Sequence, residues 1–134
     1  MFRKAYDLIR EILDDQQLGD YVLQQTGKHL AVIDAGAKVT APCAAVSLNG
    51  GAFSHKFNTS TEIEYLVSFA LPFWGADAFI RCIDFIDFAL PIFFDYRDKR
   101  NFILRVTPAI HELDEQDSRI WTVDFLITVS AFII

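Results

Sequence analysis

The chain is short of cysteine, of positive charge and of uninterrupted apolar runs, and each shortage excludes something. Its 134 residues hold two cysteines, Cys43 and Cys82. They are not in CxxC spacing and are too few for a disulfide framework. Each sits in an apolar stretch, which reads as a buried, reduced thiol. Lys and Arg total 12 against 18 Asp and Glu, for a net charge of −6 and a pI near 4.9. Phosphate binding needs a basic face, so specific nucleic-acid recognition is not expected. The one dense basic group is Arg97, Lys99 and Arg100, diluted by Asp95 and Asp98.

Membrane segments are not expected either. The opening "MFRKAYDLIREILDD" carries charges throughout and lacks the continuous apolar core of a signal peptide. The greasiest stretch, "AFIRCIDFIDFALPIFF", is interrupted by Arg81, Asp84 and Asp87. A spanning helix wants about 20 mostly apolar residues.

What the chain does have is apolar bulk. Hydrophobic residues make up 52% of it, thirteen of them Phe, and only 22% is charged. That composition excludes disorder for most of its length and suffices for the core of a single domain over residues 1–134. Residues 2–17 show helical spacing of Phe2, Ala5, Tyr6, Ile9, Ile12 and Leu13, with Gly19 as the expected stop. The stretch from Gly19 to Pro42 reads as loop-like, with "HLAVID" as a short strand. "CAAVSLNGG" reads as a strand in which Ala44, Val46 and Leu48 share a face, ending in a turn or bulge at Asn49–Gly51.

"TEIEYLVSFALPF" alternates with period two, placing Ile63, Tyr65, Val67, Phe69 and Leu71 on one face. "WGADAFIRCIDFIDFAL" then switches to helical period. Its polar residues Asp77, Arg81, Asp84 and Asp87 form one stripe, and Pro91 is expected to end or bend it. Arg81 is expected to pair with Asp84. "FILRVTPAIHEL" reads as a strand that Pro108 confines to an edge or bulge. "DEQDS" reads as a turn. The final run reads as a strand with Trp121, Val123, Phe125, Ile127, Val129, Ala131 and Ile133 on one side. The expected class is α+β: a mainly antiparallel sheet with an N-terminal helix and a central helix packed on one face.

Catalytic patterns fail one by one. "HELDE" lacks the second histidine of a zinc helix and lies beside a strand. Asp84 and Asp87 read as a solvated stripe rather than an acid–base pair. Neither cysteine has a base placed near it. "LNGG" lacks the Lys-Ser/Thr of a phosphate loop. No cofactor or metal is implied. What remains is apolar surface beyond a tidy core, with isolated aromatics at Phe53, Phe57, Phe93, Phe94 and Tyr96. Interface cores are enriched in such residues.

The order of the pieces "FRKAYDLIREILDD", "PCAAVSLNGG", "EIEYLVSFALPFWGADAFIRCIDFIDFAL" and "RVTPAIHELDEQDSRIWTVDFLITVSAFI" resembles the tail terminator, or tail completion, proteins of long-tailed bacteriophages. The chain departs from the simplest form of that pattern in the length of its Gly19–Pro42 stretch and in its very apolar central helix. The resemblance implies a structural virion protein. It would form a homo-oligomeric ring, typically of six subunits, at the head-proximal end of the tail, ending tube polymerisation. Its partners would be the tail tube protein, the sheath in contractile tails, and the head connector or neck. It would be located in the virion tail, after assembly in the host cytoplasm.

On that reading Phe79, Ile83, Phe85, Ile86, Phe93 and Phe94 are candidates for the subunit interface. Arg97, Lys99 and Arg100 would be a partner-contact loop. The sheet edge would supply a second patch, since a head-to-tail ring needs two different surfaces. The alternatives are another neck, connector or tube-related subunit, and a small α+β ligand-binding domain or enzyme.

Overall fold

The computed structural model describes residues 2–38, 40–53, 60–73, 75–95, 102–115 and 118–132. It is an α+β fold with an N-terminal helix and a central helix, as expected. Helix α1 spans Phe2–Leu13 and α2 spans Gln16–Thr26. Strands β1 (Ala31–Asp34), β2 (Cys43–Phe53) and β3 (Ser60–Leu71) follow, then helix α3 (Ala78–Asp95) and strands β4 (Phe102–Glu115) and β5 (Ser118–Phe132). The five strands lie in the order β1-β2-β3-β5-β4. All neighbours are antiparallel except β1, which runs parallel to β2.

Helix α2 corrects the reading of Gly19 as a stop and of the following stretch as a loop. The first helix instead ends at Leu13, and Asp15 restarts the chain. Its carboxylate accepts from the Gln17 N–H at 2.8 Å, capping α2. Gly19 then sits inside α2, at a cost of about 1 kcal/mol relative to alanine. Burial of Leu18 and Val22, four residues apart on one face, offsets that cost. The true stop is Gly27, whose φ of 76° is left-handed and whose N–H reaches Leu23 O at 2.8 Å.

Pro91 neither ends α3 nor marks its boundary; the helix continues to Asp95. A proline inside a helix frees the carbonyl four residues earlier. Here that residue is Asp87, and both Asp87 and Pro91 lie on the exposed side, where water can satisfy the carbonyl. Pro108 is in edge strand β4, as its missing N–H predicts.

The helices cover one face of the sheet. Ala5, Leu8, Ile9 and Ile12 of α1, Leu18 and Val22 of α2, and Cys82, Phe85, Ala89 and Phe93 of α3 are buried. They join Ile63, Val67, Phe69, Val123, Phe125, Ile127 and Val129 in one core. Phe125 is its hub: Phe69 and Phe93 meet it edge-on at 5.3 and 5.2 Å between ring centres. Each fully buried ring of this kind contributes roughly 1.5–3 kcal/mol over exposure. Tyr65 anchors the start of α1 by donating to Phe2 O at 2.8 Å. No described helix is long and apolar enough to cross a membrane.

Candidate functional site

Three stripes run along α3. The inner stripe, Ala78, Cys82, Phe85, Ala89, Ile92 and Phe93, is buried against the sheet. The outer stripe, Ile80, Asp84, Asp87 and Pro91, is exposed. Between them, on the flank turned away from α2, lie Phe79, Ile83, Ile86, Leu90 and Phe94, spaced four, three, four and four residues apart. That spacing keeps them on one helical face. The opposite flank is occupied by α2: Phe88 stacks on Tyr21 at 4.3 Å, and Arg81 donates to Gln25 O at 3.0 Å.

The six expected interface residues therefore divide. Phe85 and Phe93 are wholly buried within the protomer, because their positions face the sheet. Phe79 is 49% exposed and Phe94 38%, while Ile83 and Ile86 are half-buried. Arg81 is not paired with Asp84 as expected. It turns to α2 and lies over the Phe73 ring at 4.1 Å from its centre. Arg97, Lys99 and Arg100 lie outside the described residues.

Two exposed apolar residues were missed by the pattern reading. Ile80 is 55% exposed and Leu48 57%. Leu48 shares its face with Ala44 and Val46, as alternation requires, but β1 pairs with β2 only as far as Val46. A bulge at Asn49 follows, where the register steps from Leu48 to Gly50. Leu48 thus projects past the end of the covering strand. The sheet consequently has two free edges among the described residues: all of β4, and β2 from Ser47 to Phe53.

The sheet's other face carries no helix among the described residues. A shallow open hollow of about 320 Å³ lies on it, lined by Asn49, Leu66, Thr107, Ala109, His111, Asp124 and Leu126. Ser68 Oγ donates to Asp124 Oδ1 at 2.7 Å, and His111 Nε2 lies 3.5 Å from Asp124 Oδ2. The three residue types are those of a hydrolase, but their order is wrong. A nucleophilic serine needs histidine between it and the carboxylate. Here aspartate stands in the middle and takes the serine's proton as a hydrogen bond, so imidazole has no hold on the hydroxyl. The cluster ties β3, β5 and β4 together across the open face. His29 is exposed on the loop after α2, and His55 lies outside the described residues.

Both thiols are buried and free. Burial raises the Cys43 thiol and pushes Cys82 up to about 11, against a small opposing pull from Arg81. A thiol so protonated at neutral pH is a poor nucleophile, which agrees with the reading of inert core cysteines.

No family model matches the sequence, and no curated protein matches it. The fold does have a counterpart among solved structures. It is similar to a chain from a structure described as the virion of a native gene transfer agent particle, with a TM-score of 0.55 at 12% identity. The likeness covers 93% of this chain and 91% of the other, so what the two share is the whole α+β fold.

Proposed function

We propose that this chain is a non-enzymatic structural protein of a phage or phage-like particle, and that it acts by binding copies of itself and its neighbours. More specifically, it forms a ring, typically of six subunits, at the head-proximal end of the tail. There it ends tube growth and meets the head connector or neck, with the sheath as a further partner in a contractile tail. It reaches that place from the host cytoplasm, where tails assemble, and it reads no nucleic-acid sequence.

The observation that carries this reading is the fold likeness to a virion chain over nearly the full length of both molecules. The exposed apolar flank of α3 and the free sheet edges support it, since both are surfaces an assembly would cover. The misordered Ser68–Asp124–His111 cluster weighs against the enzyme reading.

Electron micrographs of particles assembled without this protein test the assignment. Overlong tails, or tails separated from heads, are expected. Complete absence of tails would point instead to a tube subunit, and normal joined particles would overturn a structural role.

A further inference from the structure

Strand direction decides how two copies can meet. β2 is antiparallel to β3, β3 to β5, and β5 to β4, so β2 and β4 run in opposite directions. A second copy placed beside the first in the same orientation, as in a ring, brings its β4 alongside β2 in antiparallel sense. Among the described residues the lane beside β2 is open only from Ser47 onward, because β1 occupies it up to Val46 and Ala35 N–H donates to Val46 O at 2.8 Å.

Resting on the reading that this chain builds a ring, we propose that the junction between copies is a strand pairing. The free half of β2 (Ser47–Phe53) pairs with the first half of β4 (Phe102–Thr107) in the next copy, with Leu48 opposite Val106. Three independent features converge on this register. Leu48 and Val106 both project from the helix-covered face: Leu48 is the register partner of Tyr65, and Val106 of Ile127. The pairing therefore covers the exposed Leu48 with apolar surface. The C-terminal turn of α3 lies over that part of the neighbour's β4, since Phe93 packs on Phe125, the partner of Pro108. Exposed Phe94 belongs to that turn.

On the open face the same register sets charge against charge. The exposed Arg105 of the neighbour falls opposite Asn49 and Gly50, one strand from Glu64, which pairs with Gly50. Gly50 adds no side chain there, and Asn49 Nδ2 already donates to Glu64 Oε2 at 3.1 Å, so the arginine would share that carboxylate with Asn49. Two strand spacings are about 10 Å, a gap that an arginine and a glutamate close together. Glu62, exposed and next along the same face of β3, strengthens the negative field.

The third feature is Pro108. In this register it falls opposite Val46, where the lane is taken by β1 and no further pairing is possible. The residue without an N–H stands where the intersubunit ladder has to stop, and beyond it β4 keeps its pairing with β5 of its own copy.

Paired cysteines test the register. Leu48→Cys with Val106→Cys in one chain should give, on mild oxidation, a ladder of covalent multimers up to the closed ring, and each single variant should give none. The native thiols are buried and do not compete. In parallel, Arg105→Glu should raise the concentration needed for assembly by about three- to fivefold per junction, and adding Glu64→Arg should restore it. If the wild-type chain forms rings but the double-cysteine variant gives no ladder and Arg105→Glu assembles undiminished, this junction is wrong and the ring reading stands. A cross-link in either single variant implies a two-fold contact and also overturns it. A wild-type chain that stays monomeric even with tail tubes present removes both.

Discussion

The two faces of one sheet follow opposite rules. Beneath the helices, β3 and β5 present Ile63, Val67, Phe69, Val123, Phe125, Ile127 and Val129, all fully buried. On the other side the same strands present Glu62, Glu64, Ser68, Thr122, Asp124 and Ser130, with Leu66, Ile120 and Leu126 among the large apolar members. The covered face holds the protomer together. The open face carries no helix among the described residues, and its ties are the polar cluster of Ser68, Asp124 and His111 and the buried Ala70 and Thr128. Alternation along a strand is what allows both faces to be built from neighbouring residues.

That asymmetry can be attacked from either side. Phe125→Ala removes the ring on which Phe69 and Phe93 converge, and should cost about 3–5 kcal/mol in urea unfolding. A loss below about 1 kcal/mol would mean that the covered face is not the source of stability. Tyr65→Phe deletes the hydrogen bond to Phe2 O and should cost about 1 kcal/mol, with early amide exchange in α1 as its signature. Leu126→Thr, on the open face, should change stability by less than about 1 kcal/mol. An effect as large as that of Phe125→Ala would show that the open face is part of the fold's own core.

The subtlest effect concerns Cys82. Its folded thiol titrates near 11, raised by burial above the ordinary 9.0. Only the unfolded chain ionises this group between those values, so its contribution to stability is complete below about pH 9 and is lost as pH rises towards 11. The urea midpoint should fall over that window in the wild type and fall less in Cys82→Ala. Equal slopes would show that Cys82 ionises as readily in the folded chain as in the unfolded one.

Much of the architecture was legible in the residues. The period of two in "EIEYLVSFAL" and in "RIWTVDFLITV" announced β3 and β5, with the buried face assigned correctly, and Pro108 placed β4 at an edge. The second helix was not legible. Its amphipathic signal rests on two buried residues, Leu18 and Val22, and the glycine between them argued against it. The interface candidates were legible only in part. Periodicity marks α3 as greasy around most of its girth, yet it cannot tell the wholly buried Phe85 and Phe93 from Phe79, half-exposed beside Trp121 at 6.1 Å between ring centres, and Phe94, which is exposed.

The sequence by itself determined the long strands, the N-terminal and central helices, and which face of each is apolar. Those depend on spacings of two, three and four residues along the chain, and local geometry converts them directly into faces. Only the tertiary structure decided which apolar residues stay uncovered and where Arg81 finds its partner. Leu48 is exposed because β1 ends at Val46, and Arg81 meets Gln25 because α2 packs beside α3. Both outcomes depend on segments distant in sequence, and no spacing within a single element can encode them.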